Sequence, residues 1–295
     1  MNIRNRFLRL RQVAALALAF ASALLVSPVH AAALETASGQ KIAFLGDSIT
    51  AGGVASPGGY VRLIIKSLEG EGQKIGMIPA GVSGNTSKDM LGRLQASVLS
   101  KKPDWMTLSC GVNDVWHGPT GVELEPYKKN ITSIVEQAQA AGIKVVILTS
   151  TMIGEDQKNP NNQKLIPYND FLRSLAKEKH CLLADLNADM QAEVTASAGK
   201  VQGNVLTVDG VHMNALGNEM MAAGILKALG FSAAQLAKAK DSWNQIPDAA
   251  QIGVKAGLSV PQFLKLRDLA AKQKISIDDL VSKEVSKAVQ ALTEK

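Results

Sequence analysis

The sequence predicts an α/β fold in which a parallel sheet is covered by helices on both faces. Two observations predict it: short, continuous apolar runs of strand length, and longer amphipathic stretches that alternate with them along the chain. A run that is apolar throughout indicates a strand buried on both faces, as in sheets built from βαβ units. The predicted strands are 41–46, 74–79, 104–110, 144–149 and 181–186.

Helical periodicity fills the intervals between these runs. Two stretches are expected instead as loops beside the strand ends: the glycine-rich segment 52–59 and the polar segment 154–162, which serve either as ordinary connections or as determinants of substrate shape. The predicted helices of this region are 60–69, 87–99, 126–141, 167–179 and 216–229.

Beyond Gly230 the chain becomes a lysine-rich helical extension, 231–295, without a strand pattern. One helix is predicted at about 261–272, and a second begins at the cap Ser276 and carries an apolar stripe from Val281 to Leu292. Such a pair must bury its stripes, so we expect it to pack on the preceding domain, to form a homodimer or to bind a partner.

Residues 1–31 have the pattern of a secretory signal peptide. A head with four arginines precedes the apolar run 13–26, which is too short to span a bilayer comfortably, and small residues follow it. The mature protein is therefore expected to be secreted or periplasmic, without a stable membrane anchor. It would begin near Ala32, with a first domain over 32–230.

Charge and composition argue against nucleic-acid binding. The formal net charge is +6, and it falls to +2 when the four arginines of residues 1–31 are removed. Aromatic residues make up only 4% of the chain, and basic runs interleaved with aromatics are absent from the sequence.

Cys110 and Cys181 are predicted at opposite edges of the sheet, which favours two reduced, buried thiols over a disulfide.

A serine follows the first predicted strand in the segment Gly46-Asp47-Ser48. This position places the Ser48 hydroxyl at the carboxyl edge of the sheet, where open α/β folds form their crevices. The hydroxyl is therefore a candidate nucleophile, although a turn with an N-capping serine would give the same short pattern.

Asp209 and His212 are three residues apart, with the turn-forming Gly210 between them. This spacing lets the carboxylate accept a hydrogen bond from Nδ1 of the imidazole and leaves Nε2 free to face a serine. The pair is a candidate base with its orienting acid, and capping of the helix that follows is the structural alternative.

Gly84 and Asn113 follow the second and third predicted strands, in Ser83-Gly84-Asn85-Thr86 and Gly111-Val112-Asn113-Asp114. At the shared edge of a parallel sheet, the Gly84 N–H and the Asn113 carboxamide can converge with the Ser48 N–H on one oxygen. The three groups are candidate donors of an oxyanion hole.

These four segments, in this order and at this spacing, resemble the sequence blocks of the SGNH hydrolase superfamily, also called the GDSL esterase/lipase family, over about 41–230. The resemblance implies a flavodoxin-like three-layer α/β/α sandwich with a five-stranded parallel sheet. It also implies Ser48, His212 and Asp209 as nucleophile, base and acid, and Ser48, Gly84 and Asn113 as oxyanion donors. Asn85 departs from a common aspartate, and the extension lies outside the resemblance.

Other catalytic classes lack their sequence signatures. The nearest nucleophile-elbow candidate, at 81–85, ends in Asn85 where an α/β-hydrolase needs glycine. The sequence contains neither a phosphate-binding loop nor a His/Cys cluster with metal-ligand spacing, so we expect no cofactor and no metal.

The sequence thus predicts a secreted carboxylic ester hydrolase that acts on a small-molecule or polysaccharide ester. Its polar loops, and the absence of an apolar segment suited to a lid beside Ser48, favour acetyl or other short acyl groups on carbohydrate. Lipase-like or lysophospholipase-like action on fatty-acyl esters is one alternative, and a non-hydrolytic binding or scaffold protein is another. Acyl transfer to a sugar instead of water uses the same residues.

Overall fold

The computed structural model describes residues 35–250 and 256–294. The predicted signal peptide, residues 1–31, lies outside the described residues. The chain divides into two compact units between Pro247 and Asp248. In the described stretches, no helix combines the length and the apolar character needed to cross a bilayer.

Within residues 35–250, five parallel strands form one sheet in the order β2-β1-β3-β4-β5. The α/β fold with a five-stranded parallel sheet is therefore confirmed. Phe44 and Leu45 point to opposite faces of β1 and are both fully buried, so both faces of the sheet carry core. The strands are β1 Lys41–Gly46, β2 Gly76–Gly81, β3 Trp105–Ser109, β4 Lys144–Leu148 and β5 Leu182–Ala184.

The helices of the first unit pack in two groups. One contains α2, α7, α8 and α9, and the other contains α3, α5 and α6, as expected for layers on the two faces of the sheet. Their bounds, with those of the two short helices beside the strand ends, are α1 Ser48–Ala55, α2 Tyr60–Gly70, α3 Ser87–Ser97, α4 Val112–Trp116, α5 Leu124–Ala140, α6 Pro160–Glu178, α7 Leu186–Ser197, α8 Ala215–Ala228 and α9 Ala233–Trp243.

Two predicted loops differ from the structure. The glycine-rich segment begins inside α1, because Asp47 caps that helix and Gly53 lies where a Cβ would come within 2.6 Å of the Tyr60 ring. The polar segment ends inside α6, because the Asn159 side chain accepts the N–H of Asn162 and Pro160 suits the first helical position. The helix predicted to begin at 167 therefore begins at Pro160.

Strand β5 is shorter than predicted, and α7 follows it immediately. Asp185 ends the strand because its carboxylate accepts the Ala188 N–H as the helix cap and binds Arg173. Cys181 precedes the strand and is partly exposed, whereas Cys110 is buried; both are free thiols. The prediction of two buried thiols is therefore right for Cys110 and wrong for Cys181.

Helix α9 belongs to the first unit, beyond the domain end predicted at Gly230. Trp243 is 2% exposed, and its indole N–H donates to the Ser67 hydroxyl of α2 at 2.9 Å. Ser232 and Gln235 form a capping box that starts the helix. The first compact unit therefore extends to Pro247.

The second unit contains a helical hairpin in its described part, 256–294. Its helices are α10 Val260–Gln273 and α11 Ile277–Thr293, and Lys274 adopts a left-handed conformation in the turn between them. Ser259 and Ser276 cap the two helices. Ala270 and Leu280 are buried, while Phe263 and Leu292 are exposed.

Candidate active site

Ser48 is the first residue of α1, and Asp47 alone separates it from the end of β1. A Cβ at Gly46 would come within 2.0 Å of the Thr50 hydroxyl, so the strand can turn into the helix this tightly only with glycine there. The Asp47 carboxylate accepts the Ile49 N–H at 2.9 Å and caps the helix. Ser48 is thereby fixed at the carboxyl end of the sheet's central region, partly exposed.

His212 connects the serine to Asp209 through two hydrogen bonds. Its Nε2 lies 2.9 Å from Ser48 Oγ, and its Nδ1 lies 2.7 Å from Asp209 Oδ2. An ionised carboxylate can only accept, so Nδ1 donates and Nε2 is free to accept the serine proton. The structure brings these three predicted residues together across 164 positions of sequence.

The Asp209 carboxylate also folds its own loop. Its Oδ1 accepts the N–H groups of Val211 and His212 at 3.0 and 2.8 Å, and Gly210, which follows Asp209, has φ +95°. Partial burial works to raise the pKa of Asp209, but the hydrogen bonds from His212 and Val211 outweigh it and hold the pKa below its ordinary value. The carboxylate is therefore ionised at neutral pH and available to orient the imidazole.

Asn113 and Gly84 lie after β3 and β2, the two strands that flank β1. Asn113 is 3% exposed, and its Nδ2 donates one N–H to the Asn85 carbonyl at 3.0 Å. Gly84 has φ +77°, and a Cβ there would meet no atom within 4 Å, so conformation and not space favours glycine.

Two residues that the sequence analysis did not single out hold this edge together. The Arg93 guanidinium donates to the carbonyls of Gly46 and Ala80 at 2.9 Å and to the Asn85 side chain. It therefore ties the ends of β1 and β2 to the loop that follows Gly84.

Asp114 lies in α4, which follows β3, and its side chain links this helix to the start of α3. Its two carboxylate oxygens accept the Ser87 N–H at 2.9 and 3.2 Å, and the residue is 1% exposed. Burial raises the pKa of this carboxyl. Asn113 and Asp114 thus both hold the 84–87 loop, Asn113 through the Asn85 carbonyl and Asp114 through the Ser87 N–H.

Asp47 is the second buried acid of the site, at 2% exposure. Burial raises its pKa to about 6, against the lowering effects of the Ile49 N–H and of the charge on His212. Close to neutral pH the ionised form prevails, and it places a second negative charge near the imidazole.

In the described part of the chain, no group of three or more His, Cys, Asp or Glu side chains is arranged to hold a metal ion. The arrangement of Ser48, His212 and Asp209 is suited to acyl transfer by a serine nucleophile.

Several known proteins resemble this chain. The model of the GDSL-like Lipase/Acylhydrolase family matches residues 44–220, more than half of the chain. The acetylxylan esterase of Geobacillus stearothermophilus is 27% identical over 217 residues, which cover 67% of this chain and 97% of that protein. Esterase TesA of Pseudomonas aeruginosa is 36% identical over 129 residues, covering 43% of this chain and 63% of that enzyme.

Solved structures share the fold. The acetyl xylan esterase AlAXEase superposes with a TM-score of 0.60 at 35% identity, over 64% of this chain and 98% of that one. The Geobacillus stearothermophilus acetylxylan esterase Axe2 superposes with a TM-score of 0.61 at 27% identity, over 68% and 98%. The family match ends before α9, α10 and α11.

Proposed function

This chain belongs to the GDSL-like lipase/acylhydrolase family of the SGNH superfamily and is a carboxylic ester hydrolase, and from that premise we propose that it removes acetyl or other short acyl groups from carbohydrate. The observation that carries the proposal is the continuous hydrogen-bonded chain Ser48–His212–Asp209 in a protein whose relatives include acetylxylan esterases.

In the proposed first step, Ser48 Oγ attacks the ester carbonyl carbon while its proton passes to His212 Nε2. The tetrahedral intermediate collapses, the carbon–oxygen bond to the sugar breaks, and the leaving alkoxide takes the proton from His212. Water then attacks the acyl-serine with His212 again as base, which releases the carboxylic acid and restores Ser48. Asp209 orients the imidazole and stabilises its charged form throughout.

The oxyanion of each tetrahedral intermediate is assigned to the N–H groups of Ser48 and Gly84 and to the Asn113 amide. Asn113 donates one of its two amide hydrogens to the Asn85 carbonyl, which fixes the amide plane and leaves the other hydrogen available for the proposed bond to the oxyanion. A donor fixed before the substrate arrives needs no reorganisation during the reaction, and the loss of one such donor costs about 3 kcal/mol in the transition state.

Trp116 and the named relatives both support a carbohydrate ester as the substrate. This residue ends α4, one helical turn after Asn113, and is 46% exposed. An exposed indole beside a polar site offers a flat apolar surface against which a sugar ring can stack.

We also propose, from residues 1–31, that the enzyme is exported and acts in a secreted or periplasmic compartment. The exposed apolar side chains of α10 and α11 support pairing of the hairpin with a second copy or another partner.

The test is the initial rate on matched aryl acetate and aryl octanoate, followed by acetylated xylo-oligosaccharides. We expect preference for acetate, release of acetate from the oligosaccharides, and loss of turnover by at least about 1000-fold in Ser48→Ala with an unchanged melting temperature. Retention of most activity by that variant would contradict the nucleophile. Preference for octanoate would move the substrate to lipids, and absence of a serine-dependent rate would favour a binding protein.

A further inference from the structure

The loop that carries Asp209 and His212 has little regular structure of its own. Between α7 and α8 the described residues contain only an isolated bridge between Thr207 and Met213. The side chains of Asp209 and His212 are 49% and 37% exposed, so burial alone does not hold them. The Val208 N–H donates to the His212 carbonyl at 2.8 Å within the loop, and contacts from neighbouring loops add to this support of the base.

Glu155 makes such a contact from the loop after β4. Its carboxylate accepts three consecutive backbone N–H groups, from Val205 at 2.5 Å and from Leu206 and Thr207 at 2.8 Å. It also accepts the Thr207 hydroxyl at 2.7 Å. Hydrogen bonds to an ionised acceptor are roughly twice as strong as neutral ones, so this single side chain anchors the amino-terminal end of the 205–212 loop.

Thr207 links Glu155 to the segment that carries His212. Its hydroxyl oxygen accepts the Gly210 N–H at 3.1 Å while its proton goes to Glu155. The Gly210 carbonyl accepts the Gly154 N–H at 2.7 Å. A Cβ at Gly210 would lie 3.2 Å from the Gly154 Cα, so at this point the two loops touch backbone to backbone. Gly210 is thereby fixed by Thr207 through its N–H and by Gly154 through its carbonyl. Because Gly210 follows Asp209 directly, these bonds also restrain the segment that carries Asp209 and His212.

Glu155 itself rests on a rigid support. The buried Asn162 side chain of α6 accepts the Ile153 N–H and donates to the carbonyls of Gly154 and Asp156 at 2.8 Å. Asn159, the cap of the same helix, donates to the Ile153 carbonyl at 2.7 Å. Backbone groups on both sides of Glu155 are therefore fixed to the start of α6.

We infer that Glu155 is a positioning residue of the ester hydrolase: it holds the 205–212 loop at the distance from Ser48 that lets His212 take the serine proton. This inference rests on the proposed function, because it assigns Glu155 a role through His212. Glu155 touches neither Ser48 nor His212 through its own hydrogen bonds, and its effect passes through Thr207 and Gly210.

The first experiment compares kcat and KM of Glu155→Gln and Asp156→Asn on an aryl acetate. Both oxygens of Glu155 accept N–H groups, so in glutamine the amide nitrogen must face a donor whichever way the amide turns. Because a displacement of about 1 Å at a catalytic group can cost about 100-fold, we expect kcat to fall about 10- to 100-fold with KM within about twofold. Asp156→Asn removes an adjacent exposed charge and should change neither constant.

The second experiment separates positioning of the base from a general structural role. In the His212→Ala background there is no base to position, so Glu155→Gln should change the residual rate by less than about twofold. A further fall of tenfold or more in that background would mean that Glu155 supports the oxyanion donors or the fold, and it would overturn the inference. Equal kcat for Glu155→Gln and the wild type would overturn it as well.

Thr207→Val provides a second route if Glu155→Gln does not fold. This variant keeps the side-chain shape and all three backbone bonds to Glu155 but removes the hydroxyl between Glu155 and Gly210. We expect kcat to fall about 3- to 10-fold at constant KM, again only when His212 is present, and unchanged kcat would count against the relay. Failure of the proposed function is distinct, because the wild type would then show no Ser48-dependent rate at all.

Discussion

Asp47 lies next to the proposed nucleophile Ser48 and is a buried acid whose pKa is raised to about 6. Between about pH 4 and pH 6 the folded protein retains a proton that the unfolded chain has released, so the free energy of unfolding falls as pH rises through this window. The loss amounts to about 3 kcal/mol at most. Asp47→Asn keeps an acceptor for the Ile49 N–H but cannot ionise.

We therefore expect Asp47→Asn to gain thermal stability over the wild type as pH rises from 4 to 7. It should also hydrolyse esters several-fold more slowly at pH 7, because a negative charge near the His212 imidazolium is lost. Thermal melts across this pH range check the first expectation, with the exposed Asp156→Asn as control. Parallel curves of melting temperature against pH for Asp47→Asn and wild type would contradict it.

Trp116 is suited to test the carbohydrate proposal. Trp116→Ala should raise KM for an acetylated xylo-oligosaccharide about 3- to 10-fold and leave KM for an aryl acetate unchanged, since one stacking contact contributes about 1 kcal/mol. Trp116→Phe should restore most of the difference. Equal effects on both substrates would assign Trp116 to general packing instead.

Fluorescence gives an independent readout of the same residue. The chain has three tryptophans, and Trp105 and Trp243 are each 2% exposed. A change of emission on adding a sugar ligand therefore reports on Trp116, and it should vanish in Trp116→Ala.

At the scale of single residues, the sequence was sufficient to predict the positions of groups that belong to a short local pattern. Asp209 and His212 are three positions apart, and Ser48 closely follows a strand, so pattern alone predicts where they lie. Glu155 and Arg93 gave no such signal, and Asp114 belonged to a recognised segment without an assigned role. Their hydrogen bonds to Val205, Gly46 and Ser87 span 50, 47 and 27 positions, and only the folded chain brings these groups together.

Among the elements, the continuous apolar runs predicted β1, β3 and β4 to within one residue at each end, because these strands are buried on both faces. The edge strands β2 and β5 are only partly buried, and β2 lies two residues later than predicted while β5 is shorter. The short helices α1 and α4 were not predicted. Each begins at a capped or glycine turn and contains residues that propensity disfavours, and tertiary contacts outweigh that preference. Asn159 and Pro160 were interpreted as a turn, although the same two residues also form a helix start.

Helix α9 leads to a paired truncation. A chain ending at Gly230 loses the buried Trp243 and Leu236 and exposes their contact surface on α2 and α8, whereas a chain ending at Pro247 keeps them. Removal of one buried tryptophan costs about 3–5 kcal/mol, so the shorter chain should melt about 10 °C or more below the longer one. Calorimetry checks this, and equal melting temperatures would contradict the packing of α9.

For the molecule as a whole, the proposed export predicts a processed amino terminus. After expression in a bacterial host with a secretory pathway, the product outside the cytoplasm should begin near Ala32 by amino-terminal sequencing. A chain without residues 2–31 should remain in the cytoplasm and hydrolyse aryl acetate at the same rate. An exported product that retains residues 1–31 would contradict cleavage of the signal.

The 164 positions between Ser48 and His212 also bear on how activity arises during synthesis. A ribosome that stops before His212 releases a chain that already contains Ser48 and both neighbouring strands but lacks the imidazole that is proposed to remove the serine proton. We expect such a fragment not to hydrolyse esters. Colour from a chromogenic acetate is therefore expected only from chains that were translated past His212 and folded, so hydrolysis reports on synthesis through the loop that carries His212.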